Sequence, residues 1–299
     1  MLSRIFQGLP DEVEAFFRDK GEVIRRVELV KSDCISSVYS LCTQSATYVL
    51  KSSSLVREGK LTCELSDLWP DVVPHVHQVW GKHFLQKQIP VSNFDYRSLG
   101  PLIRKYSTLQ YESSQVLEYF ELMGLSYFKP KDLALLIEEW IPTDPALCKK
   151  ISGRELRRLL SRVRELGVWI ESAGVPLSLE HGDLHKGNIV GCNAPGLRII
   201  DWSEASITHP FFSLFFLLWE ATELAQKVKE ELIATYLGPW EVFGSHQELR
   251  QLMRLTDELA LCFYAYRYYR ASNKVTASIK QTFIKFYTAH LMRFLNYQG

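Results

Sequence analysis

The chain has 299 residues, 46% of them hydrophobic and 23% charged, enough apolar material for one large core or two modest lobes and too much for a disordered chain. A formal charge of +1 provides no net attraction to nucleic acid or to an anionic membrane, so neither is an expected partner. The six cysteines, Cys34, Cys42, Cys63, Cys148, Cys192 and Cys262, are scattered without a Cys-x-x-Cys pair, which predicts reduced, mostly buried thiols in a cytoplasmic protein. Asp11, Glu12 and Glu14 stand where an export signal needs an apolar stretch, and no export is expected. The most apolar run, Pro210 to Trp219, is far shorter than the roughly 20 residues that span a bilayer, and reads as a buried helix.

In chain order, Pro10-Asp11 opens a helix over 10–19 that Gly21 ends. Strands follow over 22–30, 37–42 and 47–51, rich in Val, Ile, Tyr and Thr and separated by polar turns. Leu55, Leu61, Leu65 and Leu68 predict a helix over 54–68. Gly81-Lys82 then turns a hairpin of strands 76–80 and 83–87. Beyond residue 94 helices dominate, over 98–111, 113–123, 131–140 and 153–172, and again after Phe211 with breaks near Gly238-Pro239 and Gly244. One small hairpin interrupts them, Ile189-Val190 and Leu197 to Ile200 around the turn 192–196. The expected fold class is α+β: a small antiparallel β lobe over 1–88, then a larger, mostly helical lobe over 89–299, joined near Gln88-Ile89-Pro90.

Phosphoryl transfer asks little covalent chemistry of a protein, but it needs an oriented acceptor hydroxyl and cations around the phosphates. A carboxylate to take the hydroxyl proton, an Asn and a second carboxylate for Mg2+, and a lysine for the phosphates meet that need. Lys51, Asp183, Asn188 and Asp201 follow in that order. His181 to Asn188 has the form H-x-D-x-x-x-x-N, and Ile199-Ile200-Asp201-Trp202 follows it. With these two motifs the chain resembles the aminoglycoside phosphotransferase and choline kinase-like family, from about residue 22 to 220, and the resemblance implies a two-lobed protein-kinase-like fold. It further implies an ATP-dependent, small-molecule phosphotransferase with Asp183 as catalytic base and with Asn188 and Asp201 as ligands of Mg2+. Lys51 becomes the phosphate-binding lysine. Its acidic partner would be Glu58, or Glu64 on the same helix, and Gln88 and Ile89 would offer backbone groups to the adenine edge. His181 reads as a brace of the loop, since Asp183 already fills the proton-carrying role.

Two departures from the family pattern stand out. The turn 31–37 contains no glycine, and Ser213 stands where relatives usually carry an Asp that braces the catalytic loop. Only about nine residues separate Asp201 from the apolar stretch at Phe211, too few for a peptide-docking activation segment, so a small hydroxyl acceptor is expected. Residues 261–299 carry Arg267, Arg270, Lys274, Lys280, Lys285 and Arg293 without one Asp or Glu. Were they to line the acceptor pocket, a neutral or anionic acceptor would be favoured over a polycation; the competing reading is a solvated helix face. Two other functions compete with the kinase reading. A nucleotide-binding pseudokinase would account for the two departures, and a metal-dependent hydrolase for the alternating His181, Asp183 and His185 beside His75 and His77.

Overall fold

The third strand shows how the sequence sets its own geometry. In the computed structural model Tyr48 and Leu50 on this strand are buried while Thr47, Val49 and Lys51 are only partly so, as the period of two demands. Tyr48 and Leu50 close a core with Val13, Phe17, Leu41 and Leu85, leaving Lys51 on the other face. The structure describes residues 9–32, 35–90, 94–192, 196–222, 224–273 and 275–296. The expected glycine-free turn 31–37 and the hairpin turn 192–196 lie partly outside them, as does Cys34.

The elements run α1 (Asp11–Asp19), β1 (Arg26–Ser32), β2 (Ser36–Cys42), β3 (Thr47–Ser53), α2 (Val56–Leu68), β4 (Val76–Trp80), β5 (His83–Lys87), α3 (Gly100–Ser113), α4 (Leu117–Leu122), β6 (Tyr127–Phe128), α5 (Leu133–Trp140), α6 (Pro145–Cys148) and α7 (Gly153–Ser172). After these come β7 (Ser178–Glu180), β8 (Ile189–Val190), β9 (Arg198–Ile199), β10 (Ser206–Thr208), α8 (Leu214–Glu220), α9 (Gln226–Leu237), α10 (His246–Ser272) and α11 (Ala277–Leu295). They form two units, Met1–Ser98 with Gly187–Ser203, and Leu99–Lys186 with Glu204–Gly299.

The first unit is an antiparallel sheet in the order β1-β2-β3-β5-β4. The β8-β9 hairpin belongs to this unit although its sequence lies among helices. Three backbone and side-chain bonds explain why: Ile199 N–H to Val72 O at 2.7 Å, Gly191 N–H to Pro90 O at 3.1 Å, and Arg198 Nε to Pro70 O at 2.8 Å. Residues 187–203, expected among the helices by their place in the sequence, are held by the β sheet unit through backbone polar groups that need partners.

The second unit is mostly helical. Ser152 and Ser245 cap α7 and α10, each in a reciprocal box with the glutamate three residues on, Glu155 and Glu248. A small sheet in the order β6-β10-β7 was not expected from the sequence. Its strands have two or three residues each, too short for a periodic pattern to register. Pro210 to Trp219 forms a single 3-10 turn and then α8, not one helix. Among the described residues no helix is long and apolar enough to cross a membrane. Of the five described cysteines only Cys262 is buried, and Cys148 and Cys192 are exposed, which corrects the expectation of mostly buried thiols.

At the turn before α8, His209 is 1% exposed and its Nδ1 accepts the Phe211 N–H at 3.3 Å, so the imidazole proton belongs on Nε2. Burial lowers its pKa from 6.5 to about 3. The folded value lies below the unfolded one, so stability from the neutral ring is complete above about pH 6.5 and is lost as pH falls toward about 3, by up to about 1.4 kcal/mol per pH unit. Thermal unfolding between pH 7 and 4 is expected to fall less steeply with acid in His209→Asn, whose side chain still accepts the Phe211 N–H, than in the parent.

Candidate active site

The expected residues fall into two groups, one in each unit. In the first, Lys51 projects from the face of β3 opposite the core and its Nζ lies 2.6 Å from Glu58 Oε1 and 2.7 Å from Asp201 Oδ1. Glu58 is in the first turn of α2 and is 1% exposed. The partner of Lys51 on that helix is therefore Glu58, and Glu64 lies six residues further along the helix. Burial disfavours the charged amine of Lys51, but Asp201 and then Glu58 outweigh it and raise its pKa. Burial raises the Glu58 carboxyl, with Lys51 pulling the other way.

Asp201 follows β9 in a left-handed conformation, φ 65°, which costs a non-glycine residue roughly 1–2 kcal/mol and which Asp tolerates better than most. Ser203 Oγ donates to the same carboxylate oxygen at 2.9 Å. Trp202 beside it is 1% exposed, and its indole N–H bonds Ile199 O at 3.2 Å, pinning the Asp-Trp pair to the end of the hairpin. In the hairpin register Ile189 faces Ile199, and Ile200 N–H bonds Asn188 O at 2.9 Å. Asn188 and Asp201 thus stand at one end of the hairpin, two oxygen-bearing side chains of the kind a hard cation takes. After β5, Gln88 is exposed and Ile89 half-buried. The Gln88 N–H is committed to Thr47 O at 2.9 Å, so only its carbonyl remains as a backbone group for a ligand.

The second group is the loop after β7. His181 is completely buried; its N–H donates to Tyr106 Oη at 3.2 Å and its Nδ1 accepts the Asp183 N–H at 3.2 Å. His185 Nε2 lies 3.6 Å from Asp183 Oδ2. Gly182 has φ 84°, and a Cβ there would collide with the Glu204 carbonyl and come within 2.5 Å of the Arg267 guanidinium. No other residue fits this turn. Ser213 is fully buried; Gln110 Nε2 lies 2.8 Å from its hydroxyl, Tyr106 Oη 2.9 Å and Glu180 Oε1 3.2 Å. Sequence reasoning missed Tyr106, Gln110 and Glu180. Only Glu180 left a signal there, a carboxylate directly before the His-x-Asp motif.

Of the described basic residues in the C-terminal stretch, Arg270, Lys280, Lys285 and Arg293 are exposed, as a solvated face would have them, and Arg267 is not. Arg267 pairs with Glu204 Oε2 at 2.9 Å with its side chain 9% exposed, and Arg293 lies over the Trp219 ring at 4.9 Å. Tyr269 stacks on Trp140 at 4.6 Å, and Tyr264, 1% exposed, hydrogen-bonds Phe212 O at 3.1 Å. As for the alternating histidines, the described residues contain no group of three His, Cys, Asp or Glu side chains able to hold a metal ion. His75 and His77 instead pack ring to ring at 4.9 Å, and the hydrolase reading loses its metal site.

No protein-family model matches the chain, and no curated protein matches it by sequence. Solved structures do. A GDP complex of aminoglycoside 2′-phosphotransferase-IIIa aligns with a TM-score of 0.64 and 17% identity, over 95% of this chain and 96% of that one. The chain has a kinase-like fold. An ethanolamine kinase from Plasmodium vivax aligns at 0.62 with 12% identity, over 97% of this chain and 86% of its own. A macrolide 2′-phosphotransferase from Brachybacterium faecium aligns at 0.60 with 15% identity, covering 97% and 99%. At such identities the likeness is one of fold.

Removing the amine of Lys51 leaves Glu58 buried beside Asp201 with no cation between them. Lys51→Ala is expected to cost about 3–5 kcal/mol, read from chemical denaturation, and Lys51→Met combined with Glu58→Leu to recover most of that loss, because both buried charges then go together.

Proposed function

We propose that the chain is a small-molecule kinase that transfers the γ-phosphate of ATP to a hydroxyl group. The observation that carries this reading is the ion triad Glu58–Lys51–Asp201, with spacings of 2.6 and 2.7 Å, in a kinase-like fold. A lysine held between two carboxylates stays charged and aimed, as a phosphate-gripping cation must be. Asp183 takes the proton of the acceptor hydroxyl as its oxygen bonds to the γ-phosphorus and the bond to the β-phosphate oxygen breaks, releasing ADP. The His181 Nδ1 contact with the Asp183 N–H at 3.2 Å fits the role of brace. Asn188 and Asp201, oxygen donors at one end of the hairpin, suit Mg2+, which when bound neutralises charge on the transferring phosphate. The adenine edge would be met by the carbonyl of Gln88 and the backbone of Ile89. On this reading the first lobe, 1–88, serves the nucleotide and 89–299 the catalysis and the acceptor, in the cytoplasm.

Similar structures are named for acceptors as different as ethanolamine, aminoglycosides and macrolides, so the fold sets no acceptor class. A neutral or anionic acceptor would be favoured if cations among residues 261–299, which carry six Lys and Arg and no carboxylate, line its pocket. One similar structure holds GDP, so GTP belongs in the test beside ATP. Purified protein with either nucleotide, Mg2+ and a panel of hydroxylated metabolites is expected to release ADP or GDP with at least one acceptor. In Asp183→Asn that turnover should fall on the order of 10²–10⁴-fold with nucleotide binding retained. Binding without turnover on every acceptor would establish the pseudokinase instead, and full activity in Asp183→Asn would remove Asp183 as the base.

A further inference from the structure

Glu180 is the last residue of β7, is completely buried and immediately precedes His181, yet nothing in the mechanism above uses it. A buried carboxylate is costly unless its surroundings need it. Here the directions of the hydrogen bonds say what needs it. The His181 N–H can only donate, so Tyr106 Oη accepts it, at 3.2 Å, and keeps its own proton for Ser213 Oγ at 2.9 Å. Gln110 Nε2 also can only donate, and it points at the same Ser213 oxygen at 2.8 Å. With two donors already received, Ser213 has one proton left to give, and Glu180 Oε1 lies 3.2 Å away. Every bond in this chain runs one way, and Glu180 ends it.

Burial raises the pKa of this carboxyl, while Arg267 works most strongly in the opposite direction, and its second oxygen, Oε2, is buried with no hydrogen-bond partner. The Glu180 backbone pairs with Ser206 on β10, and Arg267 Nη1 bonds Ser206 Oγ at 2.9 Å. The acceptor is therefore fixed to a sheet. Two backbone N–H groups of the loop are assigned: His181 through Tyr106 and Ser213 to Glu180, and Asp183 to His181 Nδ1 at 3.2 Å.

We propose that Glu180 is the positioning residue of Asp183: it is the terminal acceptor for the backbone of His181, with Tyr106 and Ser213 as the joints of the relay. The carboxylate that holds the loop thus comes from the strand preceding it and not from the helix following it. Its effect on turnover rests on the phosphotransferase reading; the anchoring of the loop does not.

Glu180→Met keeps roughly the length of the side chain and removes the acceptor, which Glu180→Gln would retain in its amide oxygen. Amide hydrogen exchange of the segment 178–185 is expected to quicken roughly tenfold or more, while that of α10 stays unchanged. With an acceptor that turns over, kcat should fall roughly tenfold or more at a KM for ATP within about twofold of the parent, since a displaced base slows chemistry without loosening nucleotide. Moving the carboxylate across the joint, in Glu180→Met with Ser213→Asp, should restore slow exchange. Unchanged exchange at 178–185 in Glu180→Met overturns the proposal, as does a loss confined to KM. Should Glu180→Met not fold, Ser213→Ala cuts the relay alone, and faster or unchanged exchange in it decides in the same way. If the parent turns over no acceptor, the kinase reading fails while the exchange still decides the anchoring.

Discussion

The ammonium of Lys51 lies 2.6 Å from one carboxylate and 2.7 Å from another, and three separate pieces of chain meet there. Lys51 comes from β3, Glu58 from the start of α2, and Asp201 from the end of the β8-β9 hairpin, 150 residues away in sequence. Desolvating three charged groups is worthwhile only when each meets an opposite charge at close range, and removing one leaves the others uncompensated. The geometry is therefore held as a unit. Asp201 accepts a left-handed backbone in order to reach Lys51, and Trp202 is buried beside it as an anchor.

The second unit solves a related problem with neutral groups. The turn carrying Asp183 needs a glycine at 182 because Glu204 and Arg267 leave no room for a side chain, and a backbone so exposed to neighbouring polar groups must have its N–H groups answered. Tyr106, Gln110, Ser213 and Glu180 answer them from a buried network. The serine at 213, read from sequence as a weakened support, is fully enclosed and bonded on three sides. Networks of this kind are costly when incomplete and strongly specifying when complete.

The two clusters use charge differently. Lys51 has its pKa raised by Asp201 and Glu58 against the effect of burial. Glu180 has its pKa pushed up by complete burial, with Arg267 as its nearest counterweight, and serves as an acceptor for the backbone and not as a reactive group. Of the cations in the C-terminal helices, Arg267 is paired with Glu204 and Arg293 covers an indole ring.

By itself the sequence determined what depends on local pattern and on short spacings. Alternation placed β2 to β5, leucine spacing placed α2, and the order Lys51, Asp183, Asn188, Asp201 with the His181 motif nominated a candidate site. Tertiary structure decided what depends on partners far apart in the chain. It chose Glu58 over Glu64 for Lys51, joined the hairpin to the β sheet unit through Val72, Pro70 and Pro90, committed the Gln88 N–H to Thr47, and built the sheet of β6, β10 and β7 from strands too short to show a period. Above all it made Glu180, Tyr106 and Gln110 into one network with Ser213. Hydrogen bonds between residues 33 to 107 positions apart leave no trace in a local pattern, because direction and burial exist only once the helices have packed.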